Sequence, residues 1–368
     1  MTTYIISFAC NMLLGLLFCI DNRGVCNYNE LNLNTKKRKL YLLITALQLG
    51  LICGLRSANM AYDTGAYQEI FDDCPDTWQN IFKKSAIMHI EMGFRVFCSI
   101  IKILGGNFQT MLLITSLFVM GSCCIFLYRH SKNVLLSVFI IISFPYFYSS
   151  FDIIRHFIAT SFLLLGYKYI VEKKPIKYML FILMGCLFQT SALIFLPLYF
   201  IGKLKWNLIT VGIASVATAG LYLYIEPIAV VVGDLIGKSD GVESGWIGSY
   251  GGGMKTALMY GVILLIAILA FHQLKNRSKE DAIALNIVAL MFISSVLFIN
   301  ARMMTRAIMT LVALMAIAMP QLLDKQRSKV KQDCKLLKLG LLGVGMVYHI
   351  FMLTSNWQNV VPYIPFWK

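Results

Sequence analysis

Long apolar runs separated by short basic loops dominate this chain, and no other feature limits its fold so severely. A helix needs about 20 apolar residues to cross the hydrocarbon core of a bilayer. Runs near that length occur at 3–20, 40–55, 108–128, 133–151, 156–171, 178–201, 207–225, 256–273, 281–299, 306–323 and 338–354. Only 14% of the 368 residues are charged and 58% are hydrophobic, whereas soluble domains carry about 25% charge. The expectation is an all-α polytopic integral membrane bundle of about 10–12 segments, with 1–368 as a single membrane domain. The opening MTTYIISFACNMLLGLLFCI has no basic n-region and no small-residue cleavage site before Asp21, so it reads as a retained span.

The net charge of +15 does not point to nucleic acid, because the basic residues neither line one face nor alternate with exposed aromatics. They sit in loops: Lys36 to Lys39, Arg129 with Lys132, Lys168 to Lys177, Lys275 to Lys279, and Lys325 to Lys338. That is the positive-inside pattern of cytoplasmic loops. The cysteines lie mostly within apolar runs (Cys10, Cys19, Cys53, Cys123, Cys124, Cys186) without a CxxC pair, so they read as small hydrophobes rather than a disulfide framework or zinc site.

Placing every basic loop on one side sets a parity test. The stretch 87–104 carries Glu91, Arg95 and Lys102 and is expected to lie as an amphipathic helix at the outer interface rather than to cross. Parity still fails between Lys177 and Lys275. The preferred repair makes 178–201 a re-entrant pair of half-helices broken near Gln189-Thr190-Ser191, since broken helices are tolerated where they line a polar cavity. The rival repair is an extra crossing within 227–250. On the preferred topology the outward-facing parts are the loop and interfacial helix 56–104, the turn 148–156, the Gly-rich loop 226–255, the turn 300–306 and the C-terminal tail.

The conspicuous polar groups outside the basic loops gather on that outer side. Arg56, Arg155, Arg302 and Arg306 stand at outer ends of spans, and each offers a planar, permanently charged fork suited to phosphate. Singly, each is plausible as an interfacial anchor; together they suggest a pyrophosphate cradle. Asp63, Glu91 and Asp152 lie opposite, with His156 beside Arg155. Asp72, Asp73 and Asp76 read as a solvated acidic turn, so neither a metal site nor a cofactor is expected.

The stretches LRSANMAYDTGAYQEIF (55–71), EMGF (91–94), FDIIRHFIA (151–159), EKKPIKY (172–178), FQTSALIFLPLYF (188–200), NARMMTRAIM (300–309) and VVPYIPFW (360–367) follow the order of motifs in the EpsG-type polymerases, and the chain resembles that family over nearly its whole length. It departs in having Ala61 where glycine is usual, His156 where glutamine is usual, and Gln189 where a histidine is usual.

The resemblance implies an enzyme of the Wzy class. Such an enzyme would be a multi-pass protein of the bacterial inner membrane, joining undecaprenyl-pyrophosphate-linked oligosaccharide repeats into O-antigen, capsule or exopolysaccharide. Its partners would be that lipid-linked glycan, membrane lipid and a chain-length regulator protein. Arg56, Arg155, Arg302 and Arg306 would hold the pyrophosphate, with Arg56 alternatively holding Asp63. Asp63 would be the first choice of base, then Glu91, then His156. Thr64, Tyr67, Gln189, Ser191, Trp246 and Tyr250 would contact sugar. The competing class is a flippase that binds the same lipid without bond chemistry; a multi-span acyltransferase is a third, for which only His156 of the five histidines is well placed.

Overall fold

The computed structural model describes residues 1–21, 24–25, 31–81, 90–204, 213, 216–224, 231, 253–297, 299, 305–324 and 326–368. Among them the fold is helical, apart from turns, isolated bridges and a two-residue ladder pairing Ile20–Asp21 with Gly24–Val25. Four of the described helices are long and apolar enough to cross a membrane: Phe108–His130, Gly253–Gln273, Lys279–Leu297 and Lys331–Thr354. The chain is therefore an all-α, multi-pass membrane protein. It packs as two compact units, Met1–Tyr199 with Val347–Lys368, and Phe200–Met346.

In the first unit the helices are α1 (Thr2–Cys19), α2 (Leu31–Gly54), α3 (Thr64–Asp73), α4 (Met92–Ile103), α5 (Phe108–His130), α6 (Val134–Ser143), α7 (Tyr146–Ser149), α8 (Ile154–Gly166), α9 (Lys168–Val171) and α10 (Pro175–Cys186). Its spine is α2 packed against α5. Gly54 permits the approach, because a Cβ there would sit 2.9 Å from the Leu113 Cα, and small residues let membrane helices close up. The pair runs antiparallel. Arg38, in the first half of α2, donates to the carbonyls of Tyr128 (2.8 Å), in the last turn of α5, and Ser131 (2.6 Å), just past its end, while Gln109, at the start of α5, donates to Gly54.

The Tyr167 ring at the end of α8 lies 5.0 Å from His130. The basic loops at 36–39, 129–132 and 168–177 thus share one end of this unit, as the positive-inside reading requires. Arg56, Asp63, Asp152 and Arg155 lie at the other end.

Two expected spans are interrupted. The run 133–151 breaks into α6 and α7 at Pro145, before which Phe144 is extended (φ −108, ψ 172). Proline lacks an amide proton and disfavours helix at the residue before it. The run 156–171 is divided into α8 and the short α9. The helix expected over 87–104 is α4, with 87–89 outside the described residues; Phe94, Cys98 and Ile101 are buried while Met92 is exposed. Gly105, at φ +80, ends the turn after it.

The run 178–201 folds back on itself. Helix α10 ends at Cys186, and after an elbow the chain continues as a 3₁₀ helix, Thr190–Lys203. The Tyr178 hydroxyl, in the first turn of α10, donates to the Phe195 carbonyl at 2.6 Å, and its ring lies 6.0 Å from that of Tyr199. The second arm therefore returns alongside the first. The two arms thus open toward the basic end of the unit, and the elbow between them lies at the other end.

Its elbow is held by α4. The Gly93 amide donates to the Leu187 carbonyl at 2.8 Å, and a Cβ on Gly93 would lie 2.6 Å from that oxygen.

The second unit contains α11 (Gly253–Gln273), α12 (Lys279–Leu297), α13 (Thr305–Leu322) and most of α14 (Lys331–Thr354). Its two basic loops also meet: Lys275 N donates to Arg327 O at 2.9 Å, and Lys329 N to Gln273 O at 2.7 Å. Buried Asp281 binds Arg327 in a fork (2.8 and 2.5 Å) and takes further bonds from Gln321 and the Ser278 amide.

Two glycines should respond oppositely to a methyl group. Gly93→Ala must push α4 off the elbow backbone and should destabilise the protein by about 1–3 kcal/mol. Gly65→Ala, in α3 with no neighbour within 4 Å of its added Cβ, should be neutral or stabilising by up to about 1 kcal/mol. Thermal unfolding of both variants in detergent checks the pair.

Candidate functional site

The polar groups of the first unit's non-basic end assemble around Glu91. It precedes α4, and its carboxylate makes an ion pair with Arg155 in the first turn of α8. The pair is largely shielded, with side-chain exposures of 8% for Glu91 and 16% for Arg155. The other carboxylate oxygen accepts from the Thr190 amide at 3.1 Å and its hydroxyl at 3.2 Å. A helix start leaves amide protons without partners, and Glu91 supplies one acceptor where the 3₁₀ arm begins. One side chain thus ties α4, α8 and the hairpin together.

Arg155 also lies over the Tyr67 ring, 5.9 Å from its centroid, within cation–π range. Tyr67 is buried and meets Phe94 edge-on at 5.8 Å. Asp63 precedes α3 one turn before Tyr67; its side chain makes no cap bond and is exposed. Its amide donates to Asp152 Oδ1 at 2.7 Å.

Asp152 is buried in the turn between α7 and α8. Burial, then the Asp63 charge, pushes its carboxyl up to about 6, against the amides of Asp63 and Tyr62 and the charge of Arg56. The group therefore titrates close to neutrality.

Arg56 is wholly buried. It donates to the carbonyls of Cys53 (2.6 Å) and Phe151, with its guanidinium carbon 5.3 Å from the Phe151 ring centroid. Its hydrogen bonds hold the α2 end to the turn before α8, and it presents no surface to a ligand. The C-terminal tail covers this stretch: Ser57 N donates to Ile364 O (2.8 Å), Phe366 N to Leu55 O (3.0 Å) and Ala61 N to Asn359 O (3.1 Å). Ala61 has φ 65, a left-handed conformation that glycine adopts without strain, which accounts for the glycine usual at this position in the family the sequence resembles.

The remaining expected site residues are spread more widely. His156 is buried, its Nε2 3.4 Å from Thr160 Oγ1 and its ring 6.4 Å from that of Phe195. Thr64 is buried with its hydroxyl on Phe151 O at 3.5 Å. Gln189 is buried in the elbow and Ser191 is exposed on the arm. Arg306 is half-buried in the first turn of α13, in the second unit. Arg302, Trp246 and Tyr250 lie outside the described residues, as does most of the loop 226–255. Among the described residues no group of three metal-ligating side chains gathers.

Sequence reasoning did not assign roles to Thr190 or Asp152. The signal for Thr190 was the helix break itself, whose first free amide needs an acceptor. For Asp152 it was a carboxylate three residues before Arg155 that the turn would have to bury.

No curated protein and no solved structure matches the chain. The model of the EpsG family matches residues 39–365, a span that takes in most of α2, Glu91, Arg155, the hairpin and nearly the whole tail. On that match the chain belongs to the EpsG family.

Proposed function

We propose that this protein is a polysaccharide polymerase that extends a glycan carried on undecaprenyl pyrophosphate at the outer face of a bacterial cytoplasmic membrane. Membership of the EpsG family supports a polysaccharide-related polymerase in general. The observation that carries the finer reading is the Glu91–Arg155 pair at the end away from the basic loops, tied to the elbow of the broken hairpin and linked to Asp63 through Asp152 and Tyr67.

In this reading a hydroxyl of the incoming lipid-linked repeat attacks the anomeric carbon of the growing chain. The new glycosidic bond forms as the bond to pyrophosphate breaks, and the pyrophosphate leaves with the electron pair. Asp63, exposed and free of a cap bond, takes the hydroxyl proton. Arg155 stabilises the developing charge. Glu91 is assigned the positioning of Arg155 and the elbow rather than proton transfer, because both its oxygens are occupied. Arg56 is assigned the support of the 151–155 turn. His156, packed among Phe157 and Phe195, is less suited to an aqueous hydroxyl than Asp63. Ser191, exposed at the start of the 3₁₀ arm, is the proposed sugar contact in this unit. A chain-length regulator would act on the product.

Arg155→Ala should lower polymerisation on the order of a hundredfold, by analogy with losing one oxyanion donor. Gels of surface glycan should then lose long ladders and keep the single-repeat product. Normal ladders would remove Arg155 from the site. Loss of all surface glycan with lipid-linked repeats accumulating in the cytoplasm would mean that the chain moves the lipid instead of polymerising it.

Asp152 sets a pH dependence. Its carboxyl binds protons more tightly folded than unfolded, so its contribution to stability is complete below about pH 4 and is lost as pH rises through about 6. Asp152→Asn removes this. The variant's unfolding temperature should rise relative to wild type between pH 4 and pH 7, by an amount equivalent to about 2–3 kcal/mol. A difference that is flat with pH would contradict the assignment.

A further inference from the structure

The sequence suggests no disulfide framework, yet the fold brings two distant cysteines together at the site's end of the first unit. Cys74 caps the end of α3 and Cys98 lies in α4. Both are buried, at 2% and 0% exposure, in the cluster formed by Tyr67, Phe71, Phe94 and Ile154. Neither thiol is in a disulfide in this structure, and the two share that cluster. Lys102, one turn after Cys98, reaches across to donate to Cys74 O at 2.6 Å and Asp72 O at 2.8 Å, fixing the end of α3 against the same face of α4.

We propose that Cys74 and Cys98 form a disulfide that staples α3, which carries Asp63 at its start, to α4, which Glu91 precedes. The proposal rests on the outward placement of this end of the unit and not on the reaction assigned to it. Disulfides form and persist on the extracytoplasmic side of membranes, and this end lies away from the basic loops.

The pair has the asymmetry that exchange requires. Lys102 sits at the Cys74 carbonyl, 2.6 Å away, and its positive charge favours the Cys74 thiolate. Cys74 is therefore the first nucleophile. As α3 and α4 come together, its thiolate attacks one sulfur of the disulfide of an extracytoplasmic thiol oxidoreductase, giving a mixed disulfide and expelling that enzyme's other thiolate. Cys98, losing its proton to the expelled thiolate, attacks Cys74 Sγ. The Cys74–Cys98 bond forms as the mixed disulfide breaks, the thiolate expelled in this step takes from water the proton that Cys74 released on ionising, and the oxidoreductase leaves as a dithiol with both electrons.

The test uses the full-length protein in its native membranes. Membranes are quenched in acid, denatured with N-ethylmaleimide, digested with trypsin and analysed without reductant. Cleavage after Arg56, Lys83, Arg95 and Lys102 gives peptides 57–83 and 96–102, each holding one cysteine. The expected result is a linked peptide two hydrogens lighter than the sum, separated by dithiothreitol, while peptide 178–203 with Cys186 is recovered alkylated. Recovery of 57–83 and 96–102 singly, each carrying the maleimide, would overturn the proposal. In Cys98→Ser the link must vanish and Cys74 must become alkylated; a Cys74 still protected there would assign it another partner and overturn the pairing.

Discussion

The Glu91 carboxylate is the joint on which the first unit depends. Three elements that would otherwise end in unpaired polar groups converge on it: the start of α8 through Arg155, the 3₁₀ arm through the Thr190 amide and hydroxyl, and α4, which begins beside it. Buried ion pairs are held in place by such additional hydrogen bonds, and loss of one partner leaves an uncompensated charge. Placed at the tip of the hairpin, the joint also explains how the chain can break a helix there. The broken end meets a protein acceptor rather than hydrocarbon.

Around that joint the fold separates support from exposure. Arg56, Asp152 and the tail 355–366 brace the turn before α8 and the entry to α3 with hydrogen bonds that are largely inaccessible. Asp63 and Ser191 face outward, and Arg155 is half-buried between the two groups. A carboxylate that must accept a proton benefits from a fixed backbone under a free side chain, and Asp63 has that arrangement: its amide is held by Asp152 while its carboxylate makes no cap bond. Lys102 performs a similar service one layer away, closing the carbonyl end of α3 against α4.

Much of this was legible in the residues. The basic loops at 36–39, 129–132 and 168–177 were placed on one side by charge alone, and the contacts of Arg38 and Tyr167 bring them to one end. The break near Gln189 followed from parity, and the return of the arm past Tyr178 accounts for it. The interruption at Pro145 was missed because apolar content hides it: the run 133–151 is hydrophobic enough to span, and one proline with one extended residue decides otherwise. The role expected of Arg56 differs from its position for a related reason. An arginine at the end of a span looks alike in sequence whether it faces water or turns inward to carbonyls.

By itself the sequence determined that this chain lives in a membrane, that it is helical, which loops face together, and which motif order places it with the EpsG family. These follow from transfer energies and charge, which are properties of residue types and their spacing. Only the tertiary structure decided that Glu91 takes Arg155 and Thr190 as partners, that Asp152 holds the Asp63 amide, and that Cys74 meets Cys98. Such pairings join residues far apart along the chain, and the directions in which side chains leave their helices become defined only once the helices have packed.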